Sequence, residues 1–398
     1  MRRFTFGIVT TAAAASTLGD WAYAAVVPWI VAELGGSSLV LALLPAVGVG
    51  VSSLFNHSVL RAIRHLPPAS GAILGNLVLA LVMVVVAVAV GAAETKTLSP
   101  ELVIGVLFLG RAALSLFGSP SELALATLTK QTMEIELQLL FVRIQDVSRY
   151  FCRALAGIAS AALTTLALST PVWFNAASFV LMAACILAIR PTAEFRGSEA
   201  RSPRQTGGMF EKLAREIRLA FTDRATGGWI LLQFTVDCSF CVFAFLPLIV
   251  TNLGGGEWEY GALLTVSGIG GIIGSSRPPQ SRMILGVASI AAVLCAPIIG
   301  RMPTLLTAGV CYFLGMIALT ACDGFVKQRM QLLPYDDHGE AARFTHRWLT
   351  SLSMVTYIVP GAFLSMGYSL ATVYAAWSTL WMIVLLIVWY RYFGKKAL

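Results

Sequence analysis

Apolar residues in this chain come mostly in long runs, with neither the alternation of a strand nor the narrow stripe of a surface helix. A helix needs about 20 mostly apolar residues to cross a bilayer core. Runs near that length cover roughly 5–34, 37–60, 70–92, 101–128, 138–166 and 168–190. After a polar interval they resume over roughly 227–250, 259–275, 283–300, 303–325, 345–368 and 370–393. The interval contains the one helical stripe: Phe210, Leu213, Ile217 and Leu219–Phe221 alternate with Lys212, Arg215, Glu216 and Arg218. That spacing predicts a short amphipathic helix. The pattern therefore predicts an all-α polytopic membrane protein. Residues 1–190 form a first six-helix half, 191–226 a linker, and 227–398 a second six-helix half.

Composition agrees. The chain is 57% apolar and 12% charged, whereas soluble domains are about 25% charged. The first run is too long for a signal peptide and lacks a small-residue cleavage pattern, so it is expected to remain as a span. The net charge of +8 calls for no nucleic acid, because its basic residues gather in alternate loops. Arg2/Arg3, Arg61/Arg64, Lys130, the linker, Arg277/Arg282, Lys327/Arg329 and Lys395/Lys396 fall on one side. Glu33, Glu94, Glu101, Glu257 and Glu259 mark the other. Both termini and the linker are thus expected in the cytoplasm. The 7 cysteines lie in or beside apolar runs and do not make a secreted disulfide framework.

The halves repeat each other. "PWIVAELGG" at the end of span 1 returns as "PLIVTNLGG" at the end of span 7, and "RALAGIAS" in span 5 pairs with "IVPGAFLS" in span 11. Two similar six-helix halves joined by a cytoplasmic linker point to the major facilitator architecture, whose substrate sites lie near the midplane between the halves. A monomer is the expectation for this arrangement.

Three charges fall near mid-span: Asp20, Arg111 and Asp237. Each needs a partner, a bundle interior or a watery cavity. Arg111 can neutralise one aspartate, which leaves one carboxylate over. In span 7, Gln233, Asp237 and Cys241 stand four apart with Cys238 adjacent, a helical spacing that shares a face. Oxygen and sulfur donors together suit divalent transition metals, so Asp20, Asp237, Cys238 and Cys241 are the candidate metal residues. Tyr23, Arg111, Gln233 and Tyr357 are candidate cavity residues, and with Phe234, Phe240 and Trp377 they also suit an organic substrate. Near the cytoplasmic ends, "RIQDVSRYFCR" sets Arg143, Asp146, Arg149 and Arg153 on one face, and Asp323 and Lys327 form an i,i+4 pair. Such charges either latch helices together or open and close a gate. There is no P-loop, no GxSxG and no catalytic pair, so neither an enzyme nor a resident cofactor is expected.

Four of these segments resemble the ferroportins, iron exporters of the major facilitator superfamily. "STLGDW…ELGGSSLVL" is similar to the family's first helix, "DC" at Asp237–Cys238 to its span 7 metal pair, "RIQD" to its span 5 motif, and "DGFVKQRMQ" to its span 10 pattern. The resemblance implies export of divalent metal, iron first, with protons as the exchanged ion. It implies one site per half, at Asp20 and at Cys238 with Asp237. Two family histidines fall on Ala24 and near Tyr357, and the chain's own His57, His65, His338 and His346 are expected at or beyond cytoplasmic ends. "YGALLTVSGIGGIIGS" in span 8 is similar instead to drug-efflux members, which keeps a proton-coupled exporter of small organic compounds as the alternative.

Overall fold

The computed structural model describes residues 2–63, 66–132, 135–188, 209–276, 279, 281–334 and 336–393. These contain fifteen α-helices and no strand. The first six are α1 (Arg2–Glu33), α2 (Ser38–Ile63), α3 (Pro68–Glu94), α4 (Pro100–Thr132), α5 (Ile135–Thr164) and α6 (Thr170–Ala188). The linker helix is α7 (Met209–Ala220). Then come α8 (Arg224–Ser239), α9 (Leu246–Asn252), α10 (Glu257–Ser276), α11 (Arg282–Ile299), α12 (Leu305–Leu332), α13 (Asp337–Ser353), α14 (Ile358–Ser365) and α15 (Leu370–Tyr392).

Ten of the twelve expected spans are single helices. Span 7 is instead α8 and α9 around a 3-10 segment, Cys241–Phe245, and span 11 is α13 and α14 around Met354–Tyr357. Span 11 also begins eight residues earlier than its hydrophobic run, because Asp336 caps α13 by accepting from the Gly339 amide at 2.7 Å. The outer faces are apolar: Leu81 is 65% exposed, Leu109 70% and Leu306 79%. In water such faces mark association sites; in a bilayer they are the ordinary lipid-facing surface.

The repeated ending of spans 1 and 7 has one structural cause. Gly35 has φ +74° and Gly254 φ +76°, a conformation that costs an L side chain about 1–2 kcal/mol. Around each, the same two hydrogen bonds close the helix. Gly36 N donates to Val31 O at 2.8 Å and Gly35 N to Ala32 O at 3.0 Å, while Gly255 N donates to Val250 O at 2.9 Å and Gly254 N to Thr251 O at 3.0 Å. This is the glycine-terminated helix end in which orphan carbonyls find partners.

The chain divides into two compact units, Met1–Gly197 with Phe245–Ile269, and Ser198–Ala244 with Gly270–Leu398. In the first unit α1 packs on α5 and α6, and α3 on α4 and α6. The N-terminal part of α10, as far as Ile269, belongs here too. Tyr260 Oη donates to Ala25 O at 2.7 Å, and its ring stacks on Trp29 at 5.3 Å. Thr265 Oγ1 donates to Ala154 O at 2.8 Å. A Cβ on Gly157 would lie 2.4 Å from Gly261 O, so the two backbones touch in the small-residue packing that replaces the hydrophobic effect between membrane helices. In the second unit α8, α11, α12, α13 and α15 enclose a core that includes Leu232, Leu285, Val326 and Leu385.

Candidate functional site

The break in span 7 puts polar backbone at membrane depth. Helix α8 starts cleanly: Asp223 accepts from Thr226 N at 2.9 Å, Thr226 Oγ1 at 2.5 Å and Ala225 N at 3.3 Å. Partial burial alone would raise the Asp223 carboxyl, but these hydrogen bonds, helped by His338, hold it below the ordinary carboxylate range. At the other end α8 stops at Ser239, and the carbonyls freed there are met by side chains. Tyr357 Oη donates to Asp237 O at 2.9 Å and to Phe240 O at 3.2 Å. Trp377 Nε1 donates to Cys238 O at 2.9 Å. Unpaired carbonyls in hydrocarbon cost several kcal/mol each, so these two side chains are what permits the break.

Around this point the predicted residues separate into two groups. Gln233 Nε2 donates to Asp237 Oδ1 at 2.7 Å, with Gln233 only 1% exposed. Asp237 Oδ2 is buried, with the Thr350 hydroxyl of α13 as its polar neighbour. Cys238 is fully buried, with Asp237 and the Thr356 hydroxyl as its polar neighbours. Cys241 does not continue this face, because the α-helix ends before it. It neighbours Cys295, Tyr357 and Tyr374 instead. Behind the break stands an aromatic wall in which Phe240 stacks on Tyr312 at 5.9 Å and Trp377 meets Trp381 edge-on at 5.7 Å.

Charge comes to Asp237 from α12. Lys327 Nζ lies 2.6 Å from Asp323 Oδ2, and both are electrostatic neighbours of Asp237. Asp237 thus has an ion pair of α12 as its charged neighbour. His346 is a correction to the sequence reading. It is not at a helix end but 6% exposed inside α13, beside Asp323 and Lys327, with Nε2 lacking a hydrogen-bond partner. Nothing in the apolar runs signals this, since the N-cap of α13 precedes the run.

The first unit treats its aspartate differently. Arg111 of α4 has Tyr23 and Asp20 of α1 as its electrostatic neighbours. It is admitted by Gly48 of α2, whose absent Cβ would lie 3.0 Å from Arg111 Nε. Tyr23 is 1% exposed, and its hydroxyl fits over Gly110. Of the expected gating charges, Arg149 is exposed, Arg153 lies over the Trp21 ring at 5.1 Å, and the side chains of Arg143 and Asp146 fall outside the described residues. Among the described residues, no three His, Cys, Asp or Glu side chains gather as a ready-made metal shell.

No protein-family model matches the chain, and no curated protein matches it in sequence. Solved structures do match it in fold. A bacterial homologue of the human lysosomal transporter Spinster aligns at TM-score 0.72 and 13% identity, over 99% of this chain and 96% of that one. The nucleoside transporter NupG aligns at 0.72 and 12%, over 98% and 100%. A bacterial homologue of the iron transporter ferroportin aligns at 0.71 and 16%, over 96% and 98%. The chain has the major facilitator fold, and the proteins it resembles here are transporters, none of them an enzyme.

Proposed function

We propose that the chain is a secondary-active transporter that works by alternating access and exports a divalent metal ion, iron first, in exchange for protons. One observation carries this reading. Span 7 breaks beside Asp237 and Cys238, and the Asp323–Lys327 pair of α12 is the charged neighbour of the Asp237 carboxyl. Broken helices at membrane depth are where major facilitator and related carriers hold ions, through backbone carbonyls and side chains together. Once deprotonated, the Asp237 carboxylate offers a cation an anionic oxygen at this break.

The residues divide the work. Asp237 Oδ2 and the Cys238 thiolate are the side-chain donors, a mixed oxygen and sulfur set suited to Fe²⁺ or Co²⁺. Carbonyls of Asp237 and Phe240 complete the shell when Tyr357 releases them, and water fills the rest. Carboxylate and thiol must each lose a proton to bind metal, so metal and protons compete for the same groups. That competition supplies the exchange. Asp20 is the second candidate carboxylate; Arg111 beside it weakens its hold on a cation, and it binds only when Arg111 withdraws.

The test is metal uptake into proteoliposomes across a pH step. Asp237→Asn and Cys238→Ser are expected to abolish Co²⁺ flux, and Asp20→Ala to reduce it. Undiminished flux in both span 7 variants sinks the metal site. The second reading, proton-coupled export of a small organic compound, draws on the aromatic wall of Phe240, Tyr312, Tyr357 and Trp377. It predicts no calorimetric heat with Fe²⁺ or Co²⁺ and protection of cells from amphiphilic drugs.

A further inference from the structure

Helix α15 packs on α8 and α11 through one side, burying Val373, Tyr374, Trp377, Leu385 and Val388. Ile383, Leu386, Ile387 and Tyr390 recur at helical spacing on another side and are 52–71% exposed. Exposed aliphatics are unremarkable on a membrane helix. What sets this stripe apart is that it lines a groove of about 560 Å³, together with Arg224 at the start of α8 and Arg391 at the end of α15. The Arg224 guanidinium donates to the Arg391 carbonyl, which fixes one arginine across the mouth of the groove. The six lining residues carry two guanidinium groups and no carboxylate. The nearest acid in sequence, Asp223, is engaged in capping α8. From Ile383 to Tyr390 the apolar stripe runs about 10 Å along the helix, ending in a tyrosine of the kind enriched at the bilayer interface.

A positive mouth above an apolar trough of this form matches one kind of molecule. We propose that the groove is a binding site for an anionic phospholipid, its phosphate on Arg224 and Arg391 and its acyl chain along Ile383, Leu386 and Ile387. Guanidinium groups suit phosphate because their planar donors pair with two oxygens at once. By the charge asymmetry of the loops this end faces the cytoplasm, the side on which anionic lipids attract basic residues. A second copy of the chain is the poorer occupant. A two-fold pair places the same patch on both partners, and so sets Arg224 and Arg391 against their own copies.

The test is native mass spectrometry of the full chain in detergent, titrated with phosphatidylglycerol or phosphatidylcholine. Wild type is expected to hold one phosphatidylglycerol per chain in preference to phosphatidylcholine. Each of Arg224→Gln and Arg391→Gln should weaken it about 5-fold, and the pair about 25-fold. Arg282→Gln, an exposed arginine at the start of α11, should leave it within about 2-fold. Ile387→Trp keeps both charges but fills the trough, and should also displace the lipid. Equal phosphatidylglycerol binding in the double variant or in Ile387→Trp overturns the proposal. So does equal affinity for phosphatidylcholine, or a lipid-independent dimer that the double variant dissolves.

Discussion

Replacing Tyr357 by Phe deletes one hydroxyl and leaves the ring in the aromatic wall. That hydroxyl donates to Asp237 O at 2.9 Å and to Phe240 O at 3.2 Å. Hydrogen bonds between membrane helices contribute about 0.6 kcal/mol on average and about 1.7 at most. For a unit of this size that translates to a fall of about 1–7 °C in melting temperature. Metal affinity should move the other way. If the ion takes the same carbonyls, Tyr357 is its competitor, and removing the competitor should tighten Co²⁺ binding by about 3- to 16-fold. The assays are differential scanning fluorimetry and isothermal titration calorimetry on the purified protein in one detergent. A variant that melts lower and binds Co²⁺ no better, or binds it worse, refutes the competition. A variant that melts unchanged refutes the role of Tyr357 in holding the break.

Three further perturbations test other joints of the structure. Arg111→Gln removes the cation beside Tyr23 and Asp20 and should cost about 0.5–3 kcal/mol; adding Asp20→Asn should recover part of that loss, as read by melting temperature, and purely additive losses would deny the coupling. Gly35→Ala and Gly254→Ala should each destabilise by about 1–2 kcal/mol, because both glycines hold positive φ; Gly50→Ala, in open space within α2, should be neutral or stabilising in the same melts. Asp223 contributes stability that is fully present above its unfolded value of about 3.9 and is lost as pH falls through its lower folded value. Acid melts of wild type should therefore fall off more steeply than those of Asp223→Asn in that window, and parallel curves would remove the capping carboxylate from the account.

The spans were legible because each run is long enough to leave no other reading, and the ends at Gly35 and Gly254 because only glycine fits there. The two helix breaks were not. "FTVDCSFCVFAFLPLIV" carries no proline or glycine before Pro247, so hydropathy reads straight through Ser239. The break depends on Tyr357, more than a hundred residues away, and on Trp377. The identity of Cys241's neighbours was lost for the same reason, since a four-residue spacing implies a shared face only while the helix lasts. His346 was misplaced because apolar runs locate the lipid-facing length of a helix and miss a polar first turn.

The repeat also settles how the two aspartates are related. The register that sets Pro28 on Pro247 and Gly35 on Gly254 sets Asp20 on Ser239, and Asp237 on Leu18. Two positions on a helix are about 200° of rotation, so the acids do not occupy equivalent places in the two halves. Their surroundings differ accordingly. Asp20 sits in an unbroken helix with Arg111 beside it. Asp237 sits at a break, within reach of a second carboxylate and one lysine. A site repeated by symmetry would give two similar affinities. The asymmetry instead predicts one principal cation site, in span 7, and a single dominant binding event that Asp237→Asn removes and Asp20→Ala does not. Two calorimetric events of similar affinity, each lost with one aspartate, would show that the halves bind alike despite their different registers.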